Sequence, residues 1–255
     1  MELCSRPHLN KDSVDRFRQL TSDQDLNHDC TDDHGNTPLL LLCRNNQDDS
    51  LYKHVQCLLE SKRVYPNLTG MDGVNSLSAV CLNYGGKCLL EVVKLLVRRG
   101  INVNNTSLYG FNALFSLFSN AKEKMDSRLF EVVKVLVDSG LNANAKTNNG
   151  LNVLITLTEN HNQHPDYAKI VRFLVKNGLD VNVKSTKGRP AFHSLCKVLS
   201  HARLSNSHFI SILQLLIDCG VAVSTRDSDG YDALDVLRRC SYPEHSSVIQ
   251  FLMRQ

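Results

Sequence analysis

An all-α solenoid of helix-turn-helix units stacked side by side is the fold class this sequence predicts, and three observations predict it. Glycines at 35, 73, 110, 150, 188 and 230 recur at separations of 38, 37, 40, 38 and 42 residues, and a period of that size is the signature of a repeat architecture. A second set, at 100, 140, 178 and 220, stands ten residues before 110, 150, 188 and 230 in every case. Ahead of each second-set glycine runs an amphipathic segment. In LLEVVKLLVRRG, Leu89, Val92, Val93, Leu96 and Val97 make one apolar face and Lys94 and Arg98 lie opposite.

The elements follow in chain order. Residues 1–34 are expected to be a cap, a partial unit in which KDSVDRFRQL, with Val14, Phe17 and Leu20, supplies the second helix of a pair that lacks its first. Residues 35–255 are expected to be one continuous array of six units. Four residues after each first-set glycine stands Leu39, Leu77, Leu114, Leu154, Phe192 or Leu234, opening a short apolar helix such as LSAVCL, NALFSLF or NVLITL. From first-set to second-set glycine the counts are 27, 30, 28 and 32, so the variable residues are expected between the two helices, as longer helices or extra loops on one edge. Gly100, just past the periodic run, suits the left-handed position that ends a helix, and Arg98 and Arg99 complement the negative helix end. Six residues before the first-set glycines stand Asp29, Asn67, Asn104, Asn144, Asn182 and Ser224, short polar side chains expected to bond their own backbone in a turn. The last unit, GYDALDVLRRC with SSVIQFLMRQ, shows Arg238, Arg239 and Arg254 outward, as a terminal unit must.

Composition narrows the function. With 255 residues and 42% hydrophobic content the chain can bury a core. Its 29 Lys plus Arg against 26 Asp plus Glu give a net charge of +3, too weak a field to favour nucleic acid. No apolar run is long enough to span a bilayer, and the first residues have no apolar leader core. The nine cysteines include no CxxC pair and are expected to be reduced thiols of a cytoplasmic, or nuclear, protein. A monomer is expected.

Asp32 to Leu40, DDHGNTPLL, together with LLVRRGINVN, VLVDSGLNAN and FLVKNGLDVN, resembles the ankyrin repeat family pattern D-x-x-G-x-T-P-L-H, closing on L-L-x-x-G-A-D-V-N. The resemblance covers residues 35 to 255. T-P-L-H degrades to NSLS, NALF, NVLI, PAFH and DALD in the later units, and each unit exceeds the usual length by 4 to 9 residues. The resemblance implies an ankyrin-type solenoid that binds other proteins, without catalysis or cofactor, on the side formed by the arms and first helices. It implies too that His193 bonds the backbone of the neighbouring unit, and that Asn104 and Asn182, each after a valine with a leucine eight residues upstream, are candidates for hydroxylation; their structural part in the turn is the alternative.

No constellation of residues carries chemistry. Gly85-Gly86-Lys87 lacks the first glycine of a phosphate loop, where Cys81 stands, and has Cys88 in place of Ser or Thr. His193 and Cys196, one helical turn apart, with His201 and His208 are the best metal candidates, but a zinc site needs four convergent ligands, a buried structural role for His193 and Cys196 is the stronger reading, and no metal is expected. Side chains beside the first-set glycines are expected to project as the binding surface. Tyr109, Phe111 and Tyr231 are of the type that dominates hot spots, and Lys187 with Arg189 makes a basic patch. Against this, Phe111 and Tyr231 can pack on their own first helices, and Lys187 and Arg189 can be solvated. The leading expectation is an adaptor, scaffold or inhibitor. Two alternatives are the substrate-recruiting subunit of a ubiquitin ligase, disfavoured because no F-box-like or SOCS-box-like segment follows Arg254, and a weak binder of nucleic acid or phospholipid through Lys184, Lys187 and Arg189.

Overall fold

A computed structural model describes residues 1, 4–5, 13–23, 27–46, 49–61, 64–83, 86–120, 128–186, 188–201, 205–239 and 246–254, with residues 161 and 201 described in backbone only. Among these, thirteen α-helices and no β-strand occur; one antiparallel bridge joins Lys184 to Pro190. The chain divides into two compact units, Met1–Asn142 and Ala143–Gln255.

In the first unit α1 (Ser13–Ser22) is the second-type helix expected of the cap, with no first-type partner ahead of it among the described residues. It packs on α3 (Leu51–Glu60), as α3 does on α5 (Leu89–Arg98) and α5 on α7 (Leu129–Asp138), while α2 (Pro38–Asn45), α4 (Ser76–Asn83) and α6 (Ala113–Ser119) form the facing layer. The cap is fastened by His54. Its Nδ1 donates to the Ser50 carbonyl, so Nε2 is left to accept from the Ser13 hydroxyl at 2.9 Å, and Phe17 meets the ring edge-on. The leucines at the +4 position are fully buried: Leu39, Leu77 and Leu114 expose 2% or less.

In the second unit α8 (Val153–His161), α10 (Ala191–His201) and α12 (Ala233–Arg239) form the first-helix layer, and α11 (Asn206–Asp218) packs on α13 (Ser246–Leu252). Here α9 (Tyr167–Lys176) packs behind α8. Tyr167, buried to 4%, shares a hydrogen bond with Thr158 at 2.8 Å.

The helix starts explain why T-P-L-H decays without harm. Thr37 caps α2 by accepting from the Leu40 amide, with Pro38 in the first turn. Asn75, Asn112 and Asn152 cap α4, α6 and α8 through Oδ1, and each also donates its amide to the arm of the following unit, at the carbonyls of Asn102, Asn142 and Asp180. One asparagine thus caps a helix and links units. DALD is a reciprocal capping box, Asp235 N–H to Asp232 and Asp232 N–H to Asp235.

In the fifth pair the variable residues lengthen the helices themselves, to 11 residues in α10 and 13 in α11. One expectation needs correcting: the arm asparagines bond across to the following repeat. Each grips the next arm with both ends of its amide: Asn67 on the Gly100 carbonyl and Asn102 N–H, Asn104 on Gly140 and Asn142, Asn144 on Gly178 and Asp180, Asn182 on Gly220 and Ala222. Asp29, with no N–H to give, makes the accepting half alone, from the Tyr65 amide. The invariance of the ten-residue spacing has its cause here, since a slip of one residue breaks both bonds.

Candidate functional site

Each arm ends in a finger closed by the first-set glycine. The glycine N–H bonds the carbonyl three residues back, as in Gly110 to Ser107 and Gly150 to Thr147, both at 2.9 Å or less. These glycines have positive φ, 73° at Gly150. Neighbouring fingertips also bond, Leu108 N–H to Asp72 and Thr186 N–H to Asn149. A Cβ on Gly150 would come within 2.5 Å of the Thr186 nitrogen, so the tips approach as closely as backbone allows.

Two rows of side chains border this face: the residue after each first-set glycine on the finger wall, and the residue nine after it at the far end of the first helix. In the second unit they enclose a groove of about 840 Å³ over α8, α10 and α12. Leu151, Arg189 and Tyr231 stand on the finger wall and Glu159, Lys197 and Arg239 on the far wall, with Ile155, Val198 and Val236 between. Asp227 accepts from the Tyr231 and Asp229 amides at 2.9 and 3.0 Å, and those bonds, the Tyr231 amide foremost, hold its carboxyl below the usual carboxylate range. Glu159 is shifted the other way, upward, by partial burial.

In the first unit the same rows are mixed, with Val74, Phe111 and Leu82 beside Asn36, Arg44 and Ser119, and the exposed apolar groups stand at the fingertips. Tyr109 is 68% exposed, with Leu108 at 67% beside it and Met71 at 71% on the preceding finger. Leu82, nine after Gly73, is exposed as well. The charges there are consumed internally: Arg44 pairs with Asp72 at 2.5 Å.

The sequence-predicted residues divide accordingly. Tyr109 projects fully. Phe111 keeps an exposed edge but meets Phe115 edge-on at 5.6 Å, and Tyr231 lies under the Arg239 guanidinium at 3.7 Å with its hydroxyl accepting from it; both fold partly onto their own first helices. Arg189 lines the groove. Lys187 lies outside the described residues, as does Gly85 of the phosphate-loop candidate. Asn36, read as projecting, is buried and donates to both Asp32 carboxylate oxygens. Glu159, Lys197, Arg239 and Asp227 were missed. The row nine residues after each glycine was the signal that would have found the first three.

Of the metal candidates, His193 gives its ring to the Tyr231 carbonyl at 2.8 Å, the bond to the neighbouring repeat that the resemblance implied. His208 bonds the Asn162 carbonyl and Cys196 is fully buried. Among the described residues no three His, Cys, Asp or Glu side chains group for a metal ion, and no helix is long and apolar enough to cross a membrane. Asn104 and Asn182, the hydroxylation candidates, are exposed but have both amide atoms engaged.

No protein-family model and no curated protein matches the sequence. The fold does match solved structures. The human ASB11 ankyrin repeat domain superposes with a TM-score of 0.65 over 95% of this chain and 95% of its own, at 17% identity. The ankyrin repeat domain of Bcl-3, described as a unique member of the IkappaB protein family, superposes with a TM-score of 0.63 over 96% of this chain and 91% of its own, at 20% identity. With six helix pairs, finger-like arms and a half-unit at the front, this chain has the ankyrin repeat fold.

Proposed function

We propose that the protein is a non-catalytic interaction module, an adaptor, scaffold or inhibitor, that holds a segment of another protein against its fingers and first helices. The observation that carries this reading is the groove of the second unit, with an apolar floor and charged groups along both walls, the composition of a surface that excludes water at its centre and orients a partner at its rim. Tyr109 and the exposed edge of Phe111 offer a second contact on the first unit. The eight described cysteines are all thiols, with burial pushing Cys81 up to about 12, which accords with a cytoplasmic or nuclear setting. Recruitment of a ligase substrate is one form such binding can take.

The test is proximity labelling in cells with the wild type and with a Tyr109→Ala, Phe111→Ala, Arg189→Glu variant that keeps its helical circular-dichroism spectrum. Loss of a specific set of neighbours from the variant is the expected result. Recovery of the same set by both places the contact elsewhere.

A further inference from the structure

The charges around the second-unit groove are not equally available. Asp227 is spent on its own turn and Arg239 on the Tyr231 ring and hydroxyl. His193 is given to the Tyr231 carbonyl. The Glu159 carboxylate, by contrast, has no hydrogen-bond or ion-pair partner among the described residues. It lies one turn beyond Ile155 on α8, across the groove from Leu151 on the finger wall. Its side chain is exposed at the mouth of the groove, where a partner's cation can reach it. The middle repeat has the opposite sign on both walls, with Arg189 on the finger side and Lys197 on the far side, and the Arg189 guanidinium likewise makes no ion pair among the described residues. The outer finger adds Asp229, exposed at its tip.

We propose that this groove selects an extended peptide that seats a lysine or arginine on Glu159 and, two or three residues away, an aspartate or glutamate on Arg189, with an aliphatic side chain on Val198 beside Ile155. The reading deepens the interaction module and rests on it. Three first helices at packing distances of about 8–10 Å span about 20 Å, which is about six residues of extended chain at about 3.3 Å each. Glu159 and Arg189, on adjacent repeats, are opposite in sign, the complement of a peptide with a basic and an acidic residue a few positions apart. A polyphosphate chain would face Glu159 and Asp229 in repulsion.

The experiment probes the full chain, wild type and variants, with a positional library of random nonapeptides in which two positions at a time are fixed. The wild type is expected to retain peptides with Lys or Arg spaced two or three residues from Asp or Glu at least tenfold over peptides with two acidic or two basic fixed residues. Glu159→Gln is expected to lose the basic preference tenfold, keep the aliphatic one, and melt no lower than the wild type, a combination that a structural carboxylate would not give. Arg189→Glu is expected to exchange the acidic preference for a basic one. Unchanged selection by Glu159→Gln overturns the assignment of Glu159 and leaves the interaction surface standing. Preference for uniformly acidic peptides overturns the charge pattern. No peptide retained by any form overturns the groove as an interaction surface and this inference with it.

Discussion

The two compact units use one backbone grammar to present opposite surfaces. On the first, the rows flanking the first helices carry Val74, Phe111 and Leu82 with Asn36, Ser119 and an Arg44 paired to Asp72, and the fingertips Met71, Leu108 and Tyr109 stand out as apolar points. On the second, the equivalent places hold Arg189, Glu159, Lys197 and Arg239 around a groove. The interior positions do not differ in kind: Leu39, Leu77, Leu114 and Leu154 are interchangeable in role, as are the arm asparagines. Burial and directed hydrogen bonds between repeats fix those residues, whereas the display residues make only local contacts, such as Phe111 on Phe115 and Arg239 on Tyr231, and can take either character.

The comparison can be broken most severely at Gly150. Gly150→Ala adds a Cβ against the Thr186 backbone at positive φ and is expected to cost about 3 kcal/mol. Gly178→Ala, at φ 89° but with nothing within 4 Å, is expected to cost only about 1 kcal/mol. Urea unfolding followed by helical ellipticity reads both. Next come the arm asparagines. Asn104→Ala in the first unit and Asn182→Ala in the second each remove two inter-repeat bonds at the surface and are expected to cost about 1–2 kcal/mol alike, because this linkage is the shared part of the grammar.

Smaller effects sharpen the contrast in display. Tyr109→Ala is expected to change stability by no more than about 0.5 kcal/mol, whereas Arg239→Ala, which uncovers Tyr231, is expected to cost about 0.5–1 kcal/mol. Thermal melts distinguish them. The mildest test is acid. Asp32 and Asp227 occupy the same finger position in the first and last fingers, and both are held below the usual carboxylate range, Asp32 chiefly by the Asn36 amide and Asp227 chiefly by the Tyr231 N–H. A carboxyl lowered in the folded state stabilises above its unfolded value and loses that contribution as pH falls through the folded one. Both fingers are therefore expected to loosen below about pH 4, and Asp227→Asn is expected to flatten the acid limb of the melting profile. Glu159, raised by burial, has the opposite sign: its contribution is present at low pH and is lost as pH rises.

The period, the helix faces, the glycine stops and the cap were legible because each depends on a residue type at a fixed spacing. Finger-wall residues were half legible, since position told which side chains flank the turn and that Phe111 and Tyr231 could pack on their first helices, but not that Phe115 and Arg239 would be the groups they meet. Glu159, Lys197 and Arg239 were illegible singly, being charged residues at helix ends, where solvation is the ordinary expectation. The asparagine linkage was misread because the same side chain that forms a turn can equally reach 36 or 38 residues along the chain, and only the juxtaposition of arms decides between them.

The doubled grip of each arm asparagine also has a mechanical meaning. Within each unit these bonds lie in a seam across successive repeats, so a pull that tries to part them loads both bonds of a pair together. Stretching such a seam should yield in discrete steps, one repeat's increment of contour length at a time, with the helices peeling only after the seam beside them has opened.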